Sequence, residues 1–136
     1  MKYVAPDVLL FALIILLTNS TFQMETTTTN TKIARIWRGS TSVQDAKKLE
    51  QILREEAIPS IEKNKSNGLK GIALLTLQKE NEVVFTTIMY FDSIESVIAF
   101  AGDDYSKAHI DPAVKPLLTR YDKVVEHHTI RESRTW

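Results

Sequence analysis

The patterned part of the chain begins with a short segment, Lys32–Arg38, that is rich in isoleucine and tryptophan and ends at Gly39. Both features are typical of a β-strand. Because neighbouring side chains of a strand point to opposite faces, we expect Ile33, Arg35 and Trp37 to share one face. A strand that carries an arginine and a tryptophan on the same side is therefore predicted first.

The next segment has the pattern of an amphipathic helix. Thr41 and Gln44 have the spacing of a capping box, which predicts a helix start at this point. Apolar residues then recur every three or four positions, at Val43, Ala46, Leu49, Leu53, Ala57 and Ile61. Pro59 has no backbone N–H, so we expect it to bend or interrupt the helix near Ala57. The polar run Asn64–Lys70 predicts a turn.

Two apolar segments, Gly71–Gln78 and Val83–Phe91, follow and are separated by four polar residues. This pattern predicts a β-hairpin with Lys79–Glu82 as its connection. One face of the second strand is expected to carry Val83, Phe85, Thr87, Met89 and Phe91. The opposite face is also largely apolar, so both faces of the hairpin should be covered.

A second, shorter helical pattern comes directly after the hairpin. Asp92 is expected to cap it, with Glu95 as the carboxylate at the third helical position. Gly102 should end the helix, because glycine is the residue that most readily adopts a helix-terminating conformation. The mixed stretch Asp103–Leu118 then predicts a connection, with a short helix around Tyr105–His109.

A last strand is predicted at Val124–Ile130, which completes the order β-α-β-β-α-β. This order is that of a ferredoxin-like α+β fold, in which one antiparallel sheet has two helices on one face. The other face of the sheet would carry apolar residues from several strands without a covering layer. A second copy of the sheet could cover it, so we expect contact with a partner.

The first thirty residues have a different character. Val8–Leu17 is a run of ten apolar residues, which is half the length of a membrane-spanning helix and typical of the core of a signal peptide. The polar run Glu25–Thr31 should be a linker. Three interpretations stay open: a cleaved signal peptide of an exported protein, a true start at Met24 of a cytoplasmic protein, and a retained anchor.

Composition and charge exclude several kinds of function. The 136 residues include seventeen basic and seventeen acidic side chains, so the formal charge is zero. A nucleic-acid binder or a polybasic membrane-surface protein needs a basic surface, and neither is expected. The absence of cysteine rules out disulfides, thiolate metal sites and a cysteine nucleophile. The histidines and carboxylates show no metal-ligand spacing, so we expect no metal site. Nucleotide-binding and hydrolase motifs are also missing, so we expect neither of these functions.

Three segments resemble the antibiotic biosynthesis monooxygenase-like group of the dimeric α/β-barrel superfamily. They are Ile33–Gly39, Phe91–Ala108 and Val124–Ile130, and the resemblance spans residues 32–132, after a leader and linker at 1–31 and before a short tail at 133–136. It implies a ferredoxin-like domain that pairs as a homodimer, joining two sheets into a barrel. Each subunit of such a barrel has a pocket between its sheet and its helices.

The resemblance implies an oxygenase that needs no cofactor and acts on a small aromatic compound such as a hydroquinone or polyphenol. Deprotonating such a substrate makes an electron-rich anion that reacts with dioxygen. The site then needs a base, an anion stabiliser and a dry pocket. Because fold does not fix function, two alternatives remain: a non-catalytic small-molecule binding module and a structural dimer with a filled barrel.

His127 and Arg35 are the candidate catalytic residues. His127 occupies the position of the histidine in the resembled motif, and histidine titrates near neutral pH, so it is the natural base. His128 should point to the opposite face of the same strand. Arg35 could stabilise a phenolate, and Trp37 could form a wall against an aromatic ligand. Each also has a purely structural interpretation: a satisfied histidine, an ion-paired arginine and a packed tryptophan.

Four further residues are candidates for contacts with the substrate: Tyr90, Phe91, Tyr105 and His109. The two tyrosines could donate hydrogen bonds to it or simply pack with their hydroxyls at the rim. The segment that ends at His109 loosely resembles the stretch with the haem-ligating histidine of the superfamily's haem-degrading branch. That branch also has an asparagine on the first strand and a tryptophan where Phe91 stands. Both are missing here, which argues against haem.

Overall fold

Residues 31–136 are described by a computed structural model of the chain, and they form one antiparallel sheet with helices on one side. The interpretations of Val8–Leu17 and Met24 concern residues outside this range. The strands are β1 (Ile33–Thr41), β2 (Leu69–Gln78), β3 (Val83–Phe91), β4 (Leu118–Tyr121) and β5 (Glu126–Thr129). The helices are α1 (Ala46–Ile52), α2 (Ile58–Lys63) and α3 (Ile94–Ala101).

The sheet has the order β2-β3-β1-β4, and β5 also pairs with β1. All pairings are antiparallel, so the predicted ferredoxin-like α+β fold is confirmed. The strand β4 was not predicted, because four residues with little alternation give almost no sequence signal. The short helix expected around Tyr105–His109 is wrong: this stretch is extended and turned, and Lys107 forms an isolated bridge to Val124.

The first strand is longer than predicted, because it continues through Gly39 to Thr41. Its last residues pair with β3 on one side and with β4 on the other. Thr41 is fully buried, and its Oγ1 donates a hydrogen bond to the carbonyl oxygen of Leu117 at 2.6 Å. The capping box predicted at Thr41 and Gln44 is therefore wrong. The backbone N–H of Asp45 instead donates to Ser42 Oγ at 3.1 Å, before the helix begins.

The first helix is interrupted as Pro59 requires. A π-helical turn, Leu53–Ala57, separates α1 from α2, and Pro59 stands in the first turn of α2. A proline ring clashes with the carbonyl four residues earlier in a regular helix, and the wider turn relieves that clash. The predicted apolar stripe packs against the sheet, with Leu49 and Leu53 buried.

The helix α3 is capped by Ser93 rather than by Asp92. Ser93 Oγ accepts a hydrogen bond from the backbone N–H of Ser96, while the Asp92 carboxylate accepts from the hydroxyls of both serines. The predicted end at Gly102 is confirmed, since this glycine has a φ of 89°. This network of serine hydroxyls and carboxylate packs directly against Gly68.

Gly68→Ala is expected to lower the free energy of unfolding by about 1–3 kcal/mol, as overpacking does. A Cβ at this position would lie 1.9 Å from Ser96 Oγ and 2.6 Å from Asp92 Oδ1. Gly71→Ala is the matched control, because its Cβ would lie 3.6 Å from the nearest side-chain atom, on Tyr90. Urea denaturation of both variants measures the difference. Equal stabilities would contradict tight packing of the cap on Gly68.

Two buried apolar clusters lie between the helices and the sheet. One contains Leu49, Leu53, Val83, Phe85 and Val114. The other contains Leu69, Met89, Phe91 and Val97. Because both clusters include side chains from the same face of β3, the helices that pack on the two clusters cover the same face of the sheet. None of the helices within residues 31–136 combines the length and hydrophobicity that a membrane-spanning segment requires.

The opposite face of the sheet, here called the outer face, has no helix over it. Residues of β2 on this face are exposed, with Leu75 at 45% and Leu77 at 59% of their full accessibility. Val84, Ile88 and Ile36 share the face by their register. The outer face is therefore an apolar surface without a cover from residues 31–136.

Candidate functional site

A cavity of about 540 Å³ lies between the helix-covered face of the sheet and the helices. It separates the two core clusters, since Leu53 and Val114 line it from one and Met89 lines it from the other. Its apolar wall is completed by Ala57, Ile61, Phe100 and Val125. Polar side chains enter it from Arg35, Ser60, Thr87, His109 and Asp111. Its size is within the range of small-molecule sites.

Arg35 is the buried charge of this cavity, with 7% of its surface accessible. Its Nη1 donates to the backbone oxygen of Tyr105 and contacts His127 Nε2 at 2.9 Å. Within residues 31–136 it forms no ion pair with a carboxylate. Burial lowers the pKa of the Arg35 guanidinium from its usual value. A buried cation without a counter-ion is unfavourable, and so it points to a ligand of opposite charge.

His127 is held in one protonation state by this contact. A guanidinium can only donate hydrogen bonds, so His127 Nε2 must accept, and the ring is neutral with its proton on Nδ1. Burial, and then the positive charge of Arg35, lower the pKa of His127. The ring of Tyr105 packs edge-on against the imidazole, with centroids 5.2 Å apart. The Arg35–His127 pair is thus one unit, with the charge on the arginine.

Trp37 lies flat on the sheet next to this unit. Its Nε1 donates to the backbone oxygen of Asp122 at 2.9 Å. Its ring covers Gly39, where an added Cβ would lie 2.5 Å from the indole. Because a glycine stands there, the indole can lie flat and form part of the cavity wall.

The other four predicted site residues each have a different place in the fold. His109 lines the cavity from an exposed position in the loop after α3. Tyr105 supports Arg35 through its backbone oxygen. Tyr90 lies on the outer face opposite Ala34, away from the cavity. Phe91 is fully buried in the second core cluster, where its ring lies 5.7 Å from that of Phe100.

The register of β1 and β5 decides which of the two adjacent histidines joins the cavity side. Arg35 is directly opposite His127, whereas Ala34 is opposite His128. His128 therefore lies on the outer face, with its Nε2 3.3 Å from Glu126 Oε1. Only His127 of this pair approaches Arg35.

Sequence reasoning missed several residues of the cavity wall. Met89 and Thr87 were placed on the correct face of β3 but were not taken as ligand contacts. Phe100 and Ile61 come from two different helices. Their helical spacing predicts burial, and apolar spacing alone does not separate a core position from a cavity wall.

Lowering the pH is expected to destabilise the protein through His127. A histidine in the unfolded chain has a pKa of about 6.5, and the pKa of His127 is lower in the folded chain. Protonation therefore favours the unfolded chain. The stability contribution of neutral His127 is complete above about pH 6.5 and is lost as the pH falls below that value.

The variant His127→Gln keeps an oxygen that can accept from Arg35 but does not titrate. Its free energy of unfolding relative to the unmodified protein should therefore improve as the pH falls from 8 to 5, measured by urea denaturation. His109→Gln serves as the control, since it changes an exposed histidine without this contact. A difference that stays constant with pH would contradict this role of His127.

Residues 31–136 contain no cluster of three or more histidine, aspartate or glutamate side chains that could hold a metal ion. The polar groups of the cavity are a guanidinium, an imidazole, two hydroxyls and a carboxylate. The Asp111 carboxylate already accepts from the backbone N–H of Ala113 at 2.8 Å. The chemistry that this set supports is binding and stabilising an anion.

Comparison with known proteins places the fold. No protein-family model and no curated protein matches the chain. A solved structure from Bacillus cereus, provisionally described as an antibiotic biosynthesis monooxygenase, matches with a TM-score of 0.57 and 11% sequence identity. The match covers 78% of this chain and 97% of that chain. The fold implied by the resemblance in the sequence is therefore confirmed. At an identity as low as this, the match supports the fold alone.

Proposed function

We propose that this protein binds a small aromatic compound in the cavity and oxidises it with dioxygen, without a cofactor. One observation carries the proposal: Arg35 is a buried cation at the wall of a largely apolar cavity and has no carboxylate partner in the described chain. Such a group stabilises an anionic oxygen on a ring far better than water-exposed charges do. The fold shared with the monooxygenase-like neighbour also supports the proposal of an oxygenase.

The reaction balances with dioxygen as the oxidant. An ionised hydroxy-aromatic substrate transfers electrons to dioxygen and forms a C–O bond at a ring carbon that carries hydrogen, which gives a hydroperoxide. Loss of water from the hydroperoxide leaves a carbonyl group. One dioxygen is consumed and one water is released for each carbonyl formed. The protein contributes the largely apolar cavity and the stabilisation of the substrate anion.

The roles differ between the two histidines that approach the site. His127 Nε2 is engaged by Arg35, so we assign His127 to positioning the guanidinium. To act as the base, it would have to release this contact. His109 lines the cavity directly and is our candidate for the proton acceptor. Trp37 supplies a flat wall for the ring.

Oxygen uptake with a panel of hydroquinones and polyphenols tests the proposal. We expect turnover that falls at least about tenfold in Arg35→Gln and in His109→Gln, since each loses a charge-assisted hydrogen bond or a proton acceptor. Arg54→Gln is the matched control, because Arg54 forms an exposed pair with Glu50 at 3.5 Å. Absence of uptake with every compound would reject the oxygenase.

A non-catalytic binding role is the second candidate. It is favoured because His127 Nε2 already accepts a hydrogen bond from Arg35 and so is not free to act as a base. It predicts saturable binding of the same compounds with no oxygen consumed. A purely structural dimer predicts a filled interior, and a cavity of about 540 Å³ argues against that interpretation.

We also propose that two copies of the chain associate through the outer face. The exposed Leu75 and Leu77 there form an apolar surface of the kind that a monomer rarely keeps. Light scattering after size-exclusion chromatography should give twice the chain mass for the unmodified protein. Leu77→Glu should yield a monomer, and a monomeric unmodified protein would reject the dimer.

A further inference from the structure

The guanidinium of Arg35 forms hydrogen bonds through Nη1 and has a second edge, Nε and Nη2, that is available to a ligand. Both hydrogens of Nη1 are engaged, one by the backbone oxygen of Tyr105 and one by His127 Nε2. Nε and Nη2 have no hydrogen-bond partner within residues 31–136. These two nitrogens form the side edge of the planar guanidinium, where two parallel N–H groups point in the same direction.

This edge matches a carboxylate better than a phenol. Two parallel N–H groups fit the two oxygens of a carboxylate in the bidentate arrangement that arginine favours. A carboxyl group with a pKa of about 4 is fully ionised at pH 7. A phenol with a pKa of about 10 is ionised to only about one part in a thousand at that pH. A carboxylate therefore meets the buried charge without a prior ionisation step.

The neighbouring wall selects for a planar ring. Trp37 is two positions from Arg35 on the same face of β1, a separation of roughly 7 Å along a strand. Its indole is fixed by the hydrogen bond to Asp122 and by the close approach to Gly39. A rigid aromatic surface of this kind binds a planar ring by stacking or edge contact.

We infer that the ligand of this cavity is an aromatic carboxylate, whose carboxylate is held by Nε and Nη2 of Arg35 while its ring lies against Trp37. The inference rests on the proposed function only in taking this cavity as the substrate site. It narrows the ligand class from small aromatic compounds in general to those that carry a carboxylate, and it applies equally to a catalytic site, whose substrate would also carry the ring hydroxyl, and to a non-catalytic site.

Calorimetric titration with three probes of the same ring system tests it: 2-naphthoate, 2-naphthamide and 2-naphthol, at pH 7. We expect 2-naphthoate to bind about 10- to 100-fold more tightly than either neutral probe, the range for a charge-assisted hydrogen-bonded pair. In Arg35→Gln this preference should disappear, while Arg54→Gln should keep it. Arg35→Lys, which keeps the charge but not the paired N–H groups, should show an intermediate preference.

The indole N–H resonance of Trp37 reports whether the probe is in this cavity. The chain has two tryptophans, so Trp136→Phe leaves Trp37 as the only one and identifies its signal. Binding of 2-naphthoate should shift that resonance. The same resonance, recorded for Arg35→Gln without a probe, shows whether this variant is folded, because the indole N–H signal keeps its dispersed position only in a folded protein.

Several results would overturn the inference. Equal affinity for 2-naphthoate and 2-naphthamide would show an aromatic pocket without charge selection and would leave the proposed function intact. Tighter binding of 2-naphthol would assign Arg35 to a phenolate. Binding without a shift of Trp37 would place the ligand elsewhere. Absence of binding by all three probes would reject the aromatic acid, while oxygen uptake would still test the oxidation independently.

Discussion

Arg35→Met is expected to abolish oxidation of aromatic substrates while leaving the protein as stable as before or more stable. The turnover should fall by at least about 100-fold, since a buried charge that stabilises a reacting anion contributes about 3 kcal/mol or more. The free energy of unfolding should stay unchanged or rise by about 1–2 kcal/mol, because methionine fills a similar volume without a buried charge that lacks a counter-ion.

The two effects have opposite directions, and this separates a functional arginine from a structural one. The lost hydrogen bond to the backbone oxygen of Tyr105 reduces the gain in stability, and for that reason the expected rise is small. Oxygen uptake and urea denaturation measure the two quantities. Arg54→Met, at an exposed position of the π-helical turn between α1 and α2, should change neither by much. A large loss of stability in Arg35→Met with turnover retained would make Arg35 a structural residue.

Phe91→Ala is expected to lower the free energy of unfolding by about 3–5 kcal/mol, the cost of removing a fully buried aromatic side chain. Phe91 has 0% of its surface accessible and packs against Phe100. Phe91→Leu keeps most of the volume and should lose about 1.5 kcal/mol or less. Val124→Ala, at a position that is 65% exposed, should stay within about 0.5 kcal/mol.

This result also tests the earlier interpretation of Phe91 as a ligand contact. Because the side chain does not line the cavity, Phe91→Leu should bind 2-naphthoate as the unmodified protein does. Urea denaturation gives the stability, and calorimetric titration gives the affinity. A Phe91→Leu variant that keeps its stability but loses the ligand would support the interpretation made from the sequence.

The sequence determined the elements whose patterns are local and long. The hairpin of β2 and β3 was located almost to the residue, because two long apolar runs flank four polar residues and every position of a run adds to the same signal. The stripe that contains Leu49 and Leu53 gave the buried face of the first helix in the same way. Gly102 marked the end of α3, since few other residues tolerate its positive φ.

Contacts between residues that are far apart in the chain explain the errors in the predicted local structure. Thr41 has the chemistry of a helix cap, but its hydroxyl binds the backbone oxygen of Leu117, which is 76 positions away in the chain. The strand β4 exists because the end of β1 offers it a pairing edge, and its four residues carry no comparable pattern. At Thr41 a tertiary hydrogen bond replaced the one that the local sequence suggested, and at β4 tertiary pairing formed a strand where the local sequence suggested none.

The site was decided by register, which no local pattern encodes. The sequence determined that Arg35 and Trp37 share a face, because that follows from two-residue periodicity within one strand. It also offered His127 and His128 as neighbours that point apart. Only the pairing of β1 with β5 places His127 opposite Arg35, 92 positions earlier in the chain. A shift of one residue would have brought His128 there instead, because a one-residue slip exchanges the two faces of a strand.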